Sequence, residues 1–168
     1  MEDHFALVQV SWGWCGLRRS EAGLKRSTLP LATRDEALTL VAEGAAREER
    51  DSLLSEAARL LRQYFEGGEV DLRLPLELRG RRQFSRDVLR ACAQIPYGET
   101  RSYGELAVMA GKPGAARAVG QVMARNPLPL FVPCHRVIAA DGSLGGFGGG
   151  LEMKRRLLRL EAARGSCA

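Results

Sequence analysis

"SYGELAVMAGKPGAARAVGQVMARN", residues 102–126, is the stretch on which the reading of the fold turns. Ser102 stands three residues before Glu105, the spacing of a capping box, so a helix begins in the turn between them. Gly111-Lys112-Pro113-Gly114 stops that helix, since proline lacks the amide a helix needs and glycine favours a turn. A second helix starts at Ala115. Two short helices across a tight Gly/Pro turn fit a helix-turn-helix and an ordinary helical hairpin equally well. The second helix gathers Ala115, Ala116, Ala118 and Gly120 around one long cation, Arg117. Small residues let a helix backbone approach another surface, and an arginine among them has the reach to enter a groove or meet a carboxylate.

Helical character extends to either side. "FSRDVLRACAQI" predicts a helix with Ser85 as its N-cap, ending before Pro96. Gly148-Gly149-Gly150 precedes the last helix, "LEMKRRLLRLEAARG", which carries Leu151, Leu157, Leu158 and Leu160. Before residue 83 the pattern changes. "FALVQVSWG" and "CGLRRS" predict short strands, and "SEAG" a turn into "LKRSTL". Residues 35–46 predict a short helix. A stronger one follows, with Leu53, Leu54, Ala57, Leu60, Leu61, Tyr64 and Phe65 at helical spacing and Gly67-Gly68 as its stop. "VDLRLPLELRG" alternates, but Pro75 limits it to an edge strand or an extended connector, a natural boundary between domains.

The net charge of +5 is unevenly spread: residues 1–82 carry 13 Lys/Arg against 14 Asp/Glu, and residues 83–168 carry 12 against 6. A basic half is the electrostatic footprint of a phosphate binder, although a solvated basic face accounts for the charge alone. No apolar run reaches the length of a membrane span, and "MEDHFALVQV" is unlike a secretory signal. The expectation is an intracellular, globular protein.

The cysteines, Cys15, Cys92, Cys134 and Cys167, form no C-x-x-C pair, and His4 and His135 are the only histidines. Neither zinc nor a disulfide framework is expected. Cys15 and Cys92 lie in apolar patterns and read as packing residues, Cys167 as part of a frayed tail. "FVPCHRVI", residues 131–138, is different. A thiolate is the nucleophile, and positive charge from His135 or Arg136 lowers a thiol's pKa. On an extended chain neighbours point to opposite faces, so His135 reaches the thiol through a water. A carboxylate orients such a histidine, and Glu161 on the last helix is the candidate. A buried, structural Cys-His pair fits these residues equally well.

"IPYGETRSYGELAVMAGKPGAARAVGQVMARNPLPLFVPCHRVI" closely resembles the O6-alkylguanine-DNA alkyltransferases, in which PCHRV surrounds the acceptor cysteine after an AARAVG helix and an N-P turn. The resemblance continues through "GGFGGGLEMKRRLLRLE" and covers nearly all of residues 83–165. The part before residue 83 is similar in length, in strand-helix order and in the "LPLELRG…F" connector.

The resemblance implies two domains. Residues 1–82 would form an α/β domain with a small antiparallel sheet, ribonuclease H-like, plus the connector. Residues 83–168 would form a mainly α, winged-helix/helix-turn-helix domain that binds DNA and accepts the alkyl group. It implies irreversible, single-turnover transfer from guanine O6 in duplex DNA to Cys134, after the nucleotide is flipped out. His135 would be the water-linked base, Glu161 its orienting carboxylate, and Asn126 the brace under the site. Tyr103 would bond the purine edge, Met123 and Phe147 would flank the base, and Gly148 would offer an N–H to O6. Arg117 would fill the stacking gap. Ser85, Lys112, Ala115 and Ala116 would meet the phosphates or the groove, in minor-groove fashion. No cofactor, metal or membrane is implied, only DNA bearing O6-alkylguanine, met by a monomer in the cytoplasm.

Two departures stand out. Phe147 replaces a tyrosine found in many relatives, and the N-terminal part lacks the histidines for the zinc that some relatives hold. Non-catalytic relatives replace the cysteine, which is present here as Cys134. Two other classes remain as alternatives: a lesion sensor or helix-turn-helix regulator without transfer, and a cysteine hydrolase, which the adjacency of Cys134 and His135 disfavours.

Overall fold

Phe5-Ala6-Leu7-Val8 is apolar on both faces of a strand because both faces are covered. The computed structural model describes residues 2–44 and 46–165, so Cys167 lies outside the described residues. Strand β1 (His4–Val10) pairs antiparallel with β2 (Gly13–Ser20), and β2 with β3 (Gly23–Ser27). Helix α1 (Arg34–Val41) packs Ala37 and Val41 against Phe5 and Leu7. The alternate residues, Ala6 and Val8, stand in register with Leu17 and Cys15, and helix α2 (Ser52–Phe65) packs on these same two strands. Burial on both sides removes the polar alternation an exposed sheet would show.

The expected antiparallel sheet is in fact mixed. A two-residue strand, β4 (Arg47–Glu48), runs parallel to β1 and completes the order β3-β2-β1-β4. A parallel neighbour requires a crossover, and α1 supplies it. Thr33 and Glu36 cap α1 reciprocally, and Asp51 caps α2 by accepting from Leu54 N at 3.0 Å. The stretch after α2 is an extended connector that touches β3 at a single bridge, Leu24 to Leu76. Pro75 contributes its carbonyl, which accepts from Leu24 N at 2.8 Å, and has no amide to continue a ladder.

The chain divides into two compact units. The first runs through Leu78 and takes in Pro127–Phe131; the second starts at Arg79 and resumes at Val132. Ser27 secures the returning segment within the first unit, its N–H donating to Pro127 O at 3.0 Å and its hydroxyl to Pro129 O at 2.8 Å.

In the second unit, α3 (Gln83–Ala93) packs on both α4 (Tyr103–Met109) and α5 (Ala116–Ala124). A parallel pair, β5 (Arg101–Ser102) and β6 (Val137–Ile138), lies beside α4, and α6 (Leu151–Gly165) closes the described chain. That third helix and strand pair distinguish a helix-turn-helix domain from a lone hairpin. The Ser102–Glu105 capping box is present, with Glu105 N to Ser102 Oγ at 3.0 Å and Ser102 N to Glu105 Oε2 at 2.7 Å. Ser85 is not an N-cap: α3 starts at Gln83, with Arg82 in the cap position, and Ser85 sits inside the first turn. Gln83 ties that earlier start to Asp87 one turn on, Nε2 to Oδ1 at 2.7 Å.

Gly16 tests the packing of α1 on the sheet. A Cβ there would fall 2.7 Å from Val41 Cγ1 and 3.0 Å from Ala37 O. Gly16→Ala is expected to cost about 1–3 kcal/mol in urea unfolding. Val41→Ala in the same chain should recover part of that loss, and strictly additive effects in the double-mutant cycle would refute the proposed clash.

Candidate active site

The segment read above as extended is a tight turn. Pro133 leads into a 3-10 turn over Cys134–Arg136, with Cys134 N donating to Val132 O at 2.7 Å and Arg136 N to Pro133 O at 2.9 Å. Three residues per turn send successive side chains about 120° apart. Cys134 lines a cavity of about 700 Å³, while His135 and Arg136 are buried.

Both of those side chains meet Glu161, which α6 presents from its buried face together with Lys154 and Leu157 at helical spacing. His135 Nε2 lies 2.7 Å from Glu161 Oε1. The Arg136 fork reaches the same carboxylate from Nε at 3.1 and 3.0 Å and from Nη2 at 2.9 Å. Gly98 N donates to Oε2 at 3.2 Å, and Arg136 Nη1 donates to Ile95 O at 2.6 Å. Glu161 is 1% exposed, so its charge depends on these partners. Burial opposes that charge, but the hydrogen bonds and charges of His135 and Arg136 prevail and hold its pKa at about 2.

His135 itself is pushed the other way. Burial lowers its pKa despite the hydrogen bond and charge of Glu161, so the imidazole is neutral at physiological pH. Arg136 is therefore the counter-charge of Glu161. An ionised carboxylate only accepts, so His135 Nε2 carries the hydrogen and Nδ1 is left as the basic nitrogen. Arg136, read above as a possible neighbour of the thiol, serves the carboxylate instead.

Burial also raises the Cys134 pKa, opposed by a hydrogen bond from Asn126, the Lys154 charge and the His135 backbone amide. The resting sulfur is a thiol ringed by donors suited to a thiolate. Asn126 spends another amide hydrogen on Val132 O at 2.8 Å, which fixes the approach to the turn.

Tyr103, Met123, Phe147, Gly148, Ala116 and Arg117 line the same cavity. Tyr103 opens α4 and is half-buried; burial raises its pKa, while its oxygen takes a hydrogen bond from Gly146 N. Gly145 adopts φ +68, and a Cβ there would stand 2.8 Å from the Tyr103 hydroxyl, so only glycine fits. Arg117 is exposed on α5. Asn126, His135 and Glu161 stand outside the lining, on or behind the thiol. Ser85, Lys112 and Ala115 are not brought to the cavity. Lys112 is exposed, and Ala115 caps α5 without a side-chain bond while its own N–H donates to Lys112 O at 3.2 Å. The sequence reading missed the pairing of Arg136 with Glu161 and the burial of Lys154, which resembles its exposed neighbours Arg155 and Arg156 in the run "MKRR". Ala139 and Ala140, on which it made no statement, also line the cavity. Among the described residues no cluster of acidic, histidine and cysteine side chains is suited to a metal ion.

Comparison with known proteins bears on this arrangement. The family described as 6-O-methylguanine DNA methyltransferase, DNA binding domain, matches residues 83–163, and the ribonuclease-like domain of the same description matches residues 20–78. A methylated-DNA–protein-cysteine methyltransferase of Mycolicibacterium paratuberculosis is 54% identical over 105 residues, covering 62% of this chain and 63% of that protein. The match thus spans just under two thirds of that relative. One of Methanosarcina barkeri is 48% identical over 113 residues, covering 67% of this chain and 71% of the relative. The crystal structure of a Mycobacterium tuberculosis O6-methylguanine methyltransferase superposes with a TM-score of 0.77 at 39% identity, covering 96% of this chain and 94% of that one. A structure of the tuberculosis protein in complex with DNA gives 0.76 at 38% identity, with the same coverage.

The titration of the site has a sign that can be checked. An unfolded His135 takes up a proton as pH falls through its ordinary 6.5, whereas the folded site resists it, so stability is full above that pH and declines below it. Glu161 adds a further loss from its ordinary 4.5 down to about 2. Urea midpoints should drop between pH 7.5 and 5.5, and His135→Gln should flatten that drop. Glu161→Gln leaves Arg136 buried against a neutral amide and should cost about 3–5 kcal/mol at pH 7.5.

Proposed function

The chain belongs to the 6-O-methylguanine DNA methyltransferase family, and on that premise we propose that it repairs duplex DNA by moving the alkyl group of O6-alkylguanine onto its own Cys134. The observation that carries this reading is a thiol facing a cavity with ample room for a base, with a neutral histidine beside it whose proton-accepting nitrogen is set by a buried carboxylate.

In this reading His135 Nδ1 accepts the Cys134 proton through a bridging water, and the forming imidazolium is stabilised by Glu161. The sulfur attacks the alkyl carbon, the S–C bond forms, and the O6–C bond breaks with its electron pair passing to the base. Tyr103 then hydrogen-bonds the purine edge and passes its proton to the departing base; its oxygen accepts from Gly146 N, so its own hydrogen is available for this. The tyrosinate regains a proton through solvent as the His135 imidazolium releases one. Asn126 and the His135 amide bond the thiolate. Met123 and Phe147 flank the base and Gly148 N–H meets O6. Phe147 supplies the stacking face and lacks the hydroxyl many relatives have. The product is a thioether, which has no hydrolytic exit like that of an acyl-enzyme, so each molecule acts once.

The target atom lies inside the duplex, so the nucleotide must leave the stack. Arg117, exposed on the small-residue face of α5 at the cavity wall, takes the vacated space. Ala115 and Ala116 allow close approach to the groove. Lys112 and Ser85, with the first-turn amides of α5, face the phosphates, and affinity rests on those contacts because lesions occur in any sequence. No cofactor is needed. The protein acts as a cytoplasmic monomer, and no helix among the described residues is long and apolar enough to cross a membrane.

Intact-protein mass spectrometry after mixing with an O6-methylguanine duplex should show one methyl group per chain, located at Cys134. Cys134→Ala should abolish transfer while retaining DNA binding, and repeated turnover by the unmodified protein would overturn the reading. Arg117→Ala should slow repair of duplex by at least about tenfold, as expected where extrusion is the step affected, yet leave reaction with free O6-benzylguanine near normal. The loop from Gly142 to Gly150 holds six glycines, so the cavity wall is open and bulky benzyl groups should be accepted. Gly149→Trp should suppress benzyl transfer far more than methyl transfer.

A further inference from the structure

Exposure on α5 falls along one row. Arg117, Gln121 and Ala124 are open to solvent, as is Arg125, the residue that caps the helix, while Val119 and Met123 are buried. Arg117, Gln121 and Arg125 follow one another at intervals of four residues, so they share a face. Arg125 N donates to Val122 O at 3.1 Å, which keeps the last of the three on the helical track. That face borders the cavity: Ala116, Arg117, Gly120, Met123 and Ala124 line it, and Gln121 and Arg125 each come directly after a lining residue. Among the described residues, neither the Gln121 amide nor the Arg125 guanidinium has a hydrogen-bond or ion-pair partner. The surrounding sequence offers no carboxylate either, since no Asp or Glu stands between Glu105 and Asp141.

We infer that Arg125 is a specificity-determining residue, with Gln121 beside it in the groove: together they make the rate depend on the base pairs to one side of the lesion. The occupant of this face is duplex DNA. The row continues from the cavity that receives the base, and a carboxylate-free run with open cations suits a polyanion. The inference rests on the proposed function, with Arg117 in the vacated position. At 1.5 Å per residue, Gln121 lies about 6 Å and Arg125 about 12 Å along α5 from Arg117. At about 3.4 Å per base pair, a helix lying along the groove sets them about two and about three to four pairs from the lesion. In the minor groove A·T pairs present acceptors alone, and G·C pairs add a donor, the guanine amino group. Arginine only donates, and the narrow groove of A·T runs attracts it further. Gln121 both donates and accepts, so it bonds either pair and holds α5 in the groove. Arg125 is the residue that prefers A·T. Phosphate contacts still carry most of the affinity, and this row grades the rate among lesions.

The test is single-turnover methyl transfer, below saturating protein, from O6-methylguanine duplexes whose flank on one side of the lesion is all A·T or all G·C, each side in turn. The unmodified protein should favour A·T on one side by at least about fivefold, within the usual discrimination at a base pair. A·T-rich DNA releases a base more readily whatever the protein, so the ratio shown by a variant is the baseline. Arg125→Ala should remove most of the preference above that baseline, and adding Gln121→Ala should remove the rest. Equal ratios in the unmodified protein and the double variant overturn the inference. So does a variant slowed alike on every duplex, which marks a phosphate contact. Reaction with free O6-benzylguanine should be unchanged in the variants; a loss there assigns the residues to the fold and also overturns the inference. Equilibrium binding of the same duplexes without the methyl group is measured alongside. If no duplex gives up its methyl group, the proposed function fails. The A·T preference in binding, present in the unmodified protein and absent from the double variant, then judges this row independently.

Discussion

One buried carboxylate organises the second unit. Glu161 joins α6 to the Cys134–Arg136 turn through His135 and Arg136 and to the Gly98 turn through a backbone amide. Such a network earns little net stability over well-packed apolar residues, because desolvating the charges offsets most of their attraction. Its value lies in geometry. With the Arg136 fork occupying the carboxylate, His135 has one tautomer and one orientation, and the nitrogen facing away from Glu161 is committed to accepting a proton. The pair Arg136–Glu161 remains neutral overall, so the imidazole gains orientation from the carboxylate without being driven to protonate at rest.

That arrangement was partly legible in the residues. The capping box of Ser102 and Glu105, the Gly/Pro turn, the helical spacing from Leu53 to Phe65 and the limit set by Pro75 each depend on local chemistry, and each appears where local chemistry puts it. The resemblance through "PCHRV" pointed to Cys134, His135 and Glu161, and the structure joins the last two by a hydrogen bond, with Cys134 in the same turn as His135. What could not be read has a common cause. β4 is two residues long and exists because α1 returns the chain beside β1. The start of α3 rests on Gln83 and Asp87, which pair only once the turn is formed. The turn at Cys134 is imposed by contacts on either side of it.

Charge offers the sharper lesson. The basic excess of residues 83–168 reads as a surface for phosphates, yet Arg136 and Lys154 are both buried. Arg136 is neutralised by Glu161, and Lys154, bonded to three carbonyls, keeps its charge but is withdrawn from direct contact with a phosphate. Lys112, Arg117, Arg155 and Arg156 are the kind of exposed cations on which an attraction to DNA would rest. Counting charges along a chain measures solubility and steering only after the buried ones are removed.

Cys15, Cys92 and Cys134 are all buried, and burial raises the pKa of each, Cys15 to about 12. For a protein of the single-use chemistry proposed above, this would set its shelf life. A thiolate left standing in the cell would be consumed by oxidants and stray electrophiles before any lesion arrived, since it is the ionised sulfur that they attack. A sulfur kept protonated, with its base oriented nearby but neutral, is inert to casual encounters and is armed only when a correctly seated partner makes ionisation and bond formation a single event. The molecule spends its idle time as a safe reagent, and its readiness is stored in the position of hydrogens.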